Sequence, residues 1–359
     1  MKEGRTLQEL AVELDRQRRV KRDYIADTRN LVMDAMSDGS MQITMRDSAS
    51  NVSKVLGIND VAHRQIGGAL RIPYRYYELM RNENPELLAD NVNSWFSRNP
   101  DVRMIRTLDG NARAFLSDRY RRIDNFEIAE AVLPIIAEMP EARVESCEVT
   151  DSRMYLKVVN PRLTTDVVPG DTVQAGIMIT NSEVGLGAVK VQPLLYRLVC
   201  TNGMVVNDAA TKARHLGRVQ TGDDGFEIYT NETIEADDRA FMLKIRDTVR
   251  AAVDEVRFGK VVDMMRTAKG VPLETNNIPK FVELTATEYG MSGNEGTGVL
   301  DHLIRDGDLS LYGLANAVTR YSQDVESYDR ATDLESIGYS ILGMSASTLN
   351  KLAKASVAA

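Results

Sequence analysis

The stretch Thr172-Val-Gln-Ala-Gly-Ile-Met-Ile-Thr180 decides how the chain is read. Val173, Ala175, Ile177 and Ile179 fall on one side of an extended backbone, with Thr172, Gln174, Met178 and Thr180 on the other. A period of two is the signature of a β-strand, and its polar side predicts a sheet face open to solvent or ligand. Met154, Leu156 and Val158 oppose Tyr155 and Lys157 in the same way. Strands are therefore expected over 143–150, 154–159, 172–180 and 188–200. An antiparallel sheet can leave one face uncovered in this manner.

Upstream, the basic run Arg119-Tyr120-Arg121-Arg122 leads into a helix near 124–138. Asp124 and Glu127 stand at capping-box spacing, and Pro134 is expected to kink or shorten that helix. Residues 101–117 predict a hairpin turning at Asp109-Gly110, a pair that suits a two-residue turn. Further back, helices are expected over 6–22, 59–69 and 86–97, and a strand over 41–45, with Pro73 and Pro85 as breaks. Between the breaks, Arg71-Ile-Pro-Tyr74-Arg75-Tyr76-Tyr77 interleaves cations with rings. That mixture suits single strands, whose phosphates take cations and whose bases take ring faces. It equally suits a helix start with half-buried tyrosines.

Downstream, Leu198 to Gly203 reads as a turn and 207–213 as a short helix. The residues Ile234, Phe241, Ile245, Val249, Ala252 and Val256 then recur at three- and four-residue steps over 234–269. This predicts a long helix capped by Thr233, broken near Gly259 and stopped at Gly270 and Pro272. The glycine-rich segment 290–298 reads as a loop, 311–321 as a helix, and 333–355 as short helices. The fold class is thus α+β: an antiparallel sheet with flanking helices, then a mainly helical C-terminal unit. The expected units are 1–222 and 223–359.

Charge divides along the same line. Residues 1–220 carry 30 Lys/Arg against 29 Asp/Glu, and residues 221–359 carry 14 against 23, so the net charge of −8 belongs to the C-terminal third. Arginine outnumbers lysine 32 to 12, which suits bidentate phosphate contacts. From Lys190 to Arg218 five cations (Lys190, Arg197, Lys212, Arg214, Arg218) meet one acid, Asp208, and His215 adds charge when protonated. A local positive field of this kind attracts phosphate despite an acidic total.

Enzymatic motifs are missing. His63, His215 and His302 are too scattered for HExxH or a His/Cys zinc site, and no GxSxG elbow occurs. Gly185-Leu-Gly187-Ala-Val-Lys190 lacks the full phosphate-loop pattern and reads as a turn between strands. None of the twelve lysines follows an acid by two residues, the D/E-x-K arrangement of many nucleases. Cys147 and Cys200 form no CxxC and read as small buried hydrophobes. No apolar run approaches the ~18–20 residues that cross a bilayer, and MKEGRTLQEL has no signal-peptide core, so a cytoplasmic protein without cofactor is expected.

Three fragments carry a resemblance. They are Phe115-Leu-Ser-Asp-Arg-Tyr120-Arg-Arg-Ile-Asp124, Tyr196-Arg-Leu-Val-Cys-Thr-Asn-Gly203 and Leu311-Tyr-Gly-Leu-Ala-Asn316-Ala-Val-Thr319-Arg-Tyr321. Together they are similar to the phage- and plasmid-borne family of uncharacterised phage/plasmid-like proteins, although that family usually has another residue in place of Gly203. The resemblance implies a mobile-element setting and no settled activity. The element order of basic entry, helix, antiparallel strands and helix also resembles that of single-strand annealing proteins. In those proteins sheet and helix line a basic groove on a ring or filament of subunits. That resemblance implies single-stranded DNA as partner, a homo-oligomer, and a groove drawn from Arg119, Tyr120, Arg121, Arg122, Lys190, Tyr196, Arg197, Lys212, Arg214, His215 and Arg218. The rival expectation is an interaction protein of a mobile element, such as a defence inhibitor, whose acidic C-terminal unit engages a host protein.

Overall fold

A computed structural model describes residues 1–46, 53–120, 122–187, 189–206, 231–252 and 255–358. The chain opens with α1 (Leu7–Val20), whose N-cap Thr6 and Glu9 form a reciprocal capping box. A first group of elements follows: β1 (Arg22–Asp27), β2 (Leu31–Ala35), β3 (Met41–Arg46), β4 (Ser53–Ile58), α2 (Asp60–Ala69), α3 (Tyr74–Glu83), α4 (Pro85–Arg98), β5 (Val102–Leu108) and β6 (Asn111–Ser117). The two prolines expected as breaks act as starts. Pro73 is the N-cap residue of α3 and Pro85 the first residue of α4, where a missing N–H costs nothing.

These strands form a six-stranded sheet in the order β1-β5-β6-β4-β3-β2. All its pairs are antiparallel except β4 with β6. Asp109 and Gly110 both take positive φ, 50° and 78°, as the expected two-residue hairpin turn requires. Leu31, Met33, Met41 and Ile43 point into a core shared with α2, α3 and α4, through Ile66, Tyr77, Leu88, Val92 and Phe96. Val32, Gln42 and Thr44 alternate with them and stay half-buried.

The second sheet begins after α5 (Asn125–Glu138). It comprises β7 (Arg143–Val149), β8 (Met154–Asp166), β9 (Thr172–Asn181), β10 (Lys190–Arg197) and β11 (Asn202–Val205), all antiparallel in the order β11-β10-β9-β8-β7. The 101–117 hairpin is not part of this sheet. The capping box at Asp124 and Glu127 is present, and α5 runs through Pro134 to Glu138 without being shortened.

The face expected to be open is covered along β9 and the first half of β8. Every residue from Val173 to Asn181 is buried. One face packs on α1, α5 and α6 (Asn231–Ala252), through Leu156, Val158, Ile177 and Ile179 against Leu14, Ile128, Val132, Ile245 and Val249. The other face lies under α11 (Tyr328–Leu342) and the N-terminal residues, whose Arg5 bridges Cys147. The remaining helices are α7 (Glu255–Lys269), α8 (Ile278–Glu288), α9 (Gly293–Asp306), α10 (Leu311–Tyr321) and α12 (Ala346–Ala358). They share one hydrophobic core with Val173, Leu195 and Met204 of the sheet. Fold class is as expected: α+β, with a mainly helical C-terminal region.

Three local expectations are corrected. Thr233 lies inside α6 rather than capping it, and Gly259 lies inside α7. The supposed loop 290–298 contains the first turns of α9, started by a capping box between Ser292 and Glu295. Two of its glycines serve packing. A Cβ at Gly298 would stand 2.1 Å from the Tyr321 ring, and one at Gly296 would stand 3.1 Å from the Ala286 Cβ. The expected helix at 207–213 and the unit boundary at 222–223 lie outside the described residues.

Candidate nucleic-acid interface

Among the described residues, those expected to line a groove do not come together on one surface. Tyr196 is 5% exposed, and burial first, then a hydrogen bond with Glu145, pushes its phenol up to about 12. The Arg197 guanidinium is held by Asp171 through two donor nitrogens at 2.6 and 2.9 Å, while the Tyr312 hydroxyl donates to the same carboxylate at 2.8 Å. Arg197 thus ties β10 to α10, and the expectation that Tyr196 and Arg197 face an open groove is corrected. Lys190 is half-buried at the start of β10. Arg121, Lys212, Arg214, His215 and Arg218 lie outside the described residues.

The basic entry serves a different end. Tyr120 donates its hydroxyl to the Ser182 carbonyl at 3.3 Å, and burial raises its pKa. Arg119 is exposed in the turn before it. Arg122 pairs with Asp23 at 3.0 Å. Beside them lies a charge network that joins the two sheets. Arg106, fully buried on β5, donates to Asp23 at 2.9 Å, to Asp124 at 2.7 Å and to the Glu183 carbonyl at 2.9 Å. Arg113 pairs with the Glu183 carboxylate, which also accepts the Asn125 N–H at 2.6 Å. Lys21 closes the network on Asp124 at 2.6 Å. Burial alone would raise Asp124, but the Arg106 and Lys21 cations outweigh it and hold its carboxyl below the usual range. Buried charges are tolerated when paired and hydrogen-bonded in this way. These cations have partners already and hold the fold together.

Among the described residues, the cations that make no ion pair include a group around the start of α3. Arg71, Tyr74, Arg75 and Tyr76 are exposed, whereas Ile72 packs against the core and Tyr77 is buried in it, 1% exposed. Tyr74 and Tyr76 keep 59% and 46% of their surface. Arg71 and Arg75 form no ion pair among the described residues; nor does the exposed Arg64 of α2. Successive helical positions are turned by about 100°, so Tyr74, Arg75 and Tyr76 fan around the helix end. Its unsatisfied N–H groups add partial positive charge. Rings and cations interleaved on a convex surface can stack bases and neutralise the phosphates between them. Sequence reading could not separate this from a half-buried helix start. The distinguishing signal is Pro73, which starts α3 where it does and so settles that Tyr77 faces the core and its neighbours do not.

Among the described residues no three His, Cys, Asp or Glu side chains converge on a metal-sized site, and no helix is long and apolar enough to cross a membrane. A family model described as Domain of unknown function (DUF932) matches residues 114–336, more than half of the chain. That span takes in the second sheet and most of the helical region, and leaves the α3 surface outside it. No curated protein and no solved structure matches the chain.

Proposed function

We propose that this chain, which belongs to the DUF932 family, is a non-catalytic single-stranded DNA-binding protein whose contact surface is the start of α3. The observation that carries the reading is the pair of exposed tyrosines, Tyr74 and Tyr76, set between arginines that no carboxylate neutralises. The ion pairs elsewhere support it by contrast, since Arg106, Arg113 and Arg197 are committed to acids. Annealing of complementary strands and a phage or plasmid setting belong to the same proposal, resting on the fragment and element-order resemblances. So does self-association. The outer edge of β1 carries an exposed Ile25, and α4 exposes Leu87 and Trp95, surfaces that a second copy would cover.

The test is binding of a single-stranded oligonucleotide as a function of salt. Each neutralised phosphate contributes a log–log slope of roughly −0.7 for a single strand. Replacing Arg71 and Arg75 together with alanine is expected to flatten the slope by about one to two units. Replacing Tyr76 with alanine is expected to weaken binding by about 1–3 kcal/mol without changing the slope, because a stacked ring carries no charge. A parent protein that binds no oligonucleotide at low salt would refute the reading. It would favour a protein partner for the acidic C-terminal region instead.

A further inference from the structure

A cleft of about 520 Å³ lies at the other end of α3, between the β2–β3 hairpin, the end of β4 and the start of β6. Its volume is within the range of small-molecule sites, ~300–1,000 Å³. The lining includes the side-chain amides of Gln42, Asn82 and Asn111, the imidazole of His63 and the guanidinium of Arg81, and no carboxylate. Gln42 and Asn82 make no side-chain hydrogen bond among the described residues. His63 is 1% exposed, with one ring nitrogen 2.9 Å from the Tyr77 hydroxyl and the other without a protein partner. Burial first, then the Arg81 cation, lowers its pKa to about 4, so the ring is neutral at pH 7. Arg81 is anchored on Asp60 at 2.7 Å and lies 3.6 Å from Glu78, which leaves some of its five donors for a ligand.

We infer that this cleft binds a single nucleotide. Three amides each offer a donor and an acceptor, the pattern on the edge of an unpaired base. A neutral imidazole can serve as either. One guanidinium suits a phosphate, to which it presents donors in a fixed fork. The absence of carboxylates disfavours a cation. The choice of nucleotide rests on the single-strand reading, in which a base displaced from a strand on α3 could enter the cleft; the geometry of the cleft does not.

The experiment uses the four deoxynucleoside monophosphates as probes, followed by calorimetry or chemical-shift titration at millimolar concentration, with inorganic phosphate as comparison. At least one monophosphate is expected to bind saturably and more tightly than phosphate. The double variant Gln42→Ala/Asn82→Ala, at half-exposed and exposed positions, should weaken it about tenfold for two lost hydrogen bonds. No saturable binding, binding no tighter than that of phosphate, or binding indifferent to the amide variant would each overturn the site. The oligonucleotide slope is read separately. Monophosphate binding with no oligonucleotide binding sustains the cleft and sinks the strand reading; the reverse result does the opposite.

Discussion

The two sheets of this protein read alike as sequence and differ as structure. In β3 the apolar Met41 and Ile43 alternate with Gln42 and Thr44, and the polar pair remains half-exposed beside the candidate cleft. In β9 and β8 the same alternation sets Ile177 and Ile179 against Gln174 and Thr180, and Leu156 against Tyr155 and Lys157, yet all are buried. The difference lies in what covers the polar side. Lys157 donates to Glu335 of α11 at 2.7 Å, and both are fully buried. Tyr155 donates to Asp329 at 2.7 Å, and Ser146 meets the Tyr328 hydroxyl at 2.6 Å. Alternation reports the polarity of a face. Exposure depends on whether distant residues supply partners that make burial tolerable.

The largest effect should come from breaking the buried pair. Glu335→Leu leaves the Lys157 ammonium uncompensated, and a loss of about 3–5 kcal/mol is expected in urea denaturation. Pairing it with Lys157→Met should recover most of that loss, because two well-packed apolar groups can replace a buried ion pair. Failure of the double variant to recover would mean that the pair also carries strain or packing this account omits.

A smaller effect tests the first sheet. His63 has an ordinary pKa of 6.5 and a folded value of about 4, so the unfolded chain takes up the proton first as pH falls. Stability is therefore complete above pH 6.5 and declines as pH falls toward 4, by up to about 3 kcal/mol. His63→Gln should lose less stability than the parent between pH 7 and pH 4.5. Equal losses in the two proteins would show that other groups carry the dependence.

The smallest effect sharpens the contrast within the second sheet. Tyr155→Phe removes one hydrogen bond and leaves Asp329 with that from Thr150 at 3.0 Å. A cost of about 1–2 kcal/mol is expected, against the ~0.5 kcal/mol or less usual at exposed positions such as Arg75. A cost no greater than that of Arg75→Ala would mean that the polar face is held by packing alone.

Local chemistry determined much of this molecule. The Asp109-Gly110 turn, the Asp124–Glu127 capping box, the four central strands and the helix over 311–321 are all decided by residues close in sequence. Where local signals competed, reading failed. Ser292 and Glu295 start α9 despite three glycines, because Gly296 and Gly298 let neighbouring helices approach closely. Which cations were available to a ligand was not legible at all. Arg106 and Arg197 look like Arg71 and Arg75 in a sequence, and only the fold brought Asp23, Asp124 and Asp171 to the first pair and left the second in water. The physical reason is range. A turn or cap closes within four residues, whereas the ion pair between Arg106 and Asp23 spans 83 positions and exists only once β1 has paired with β5.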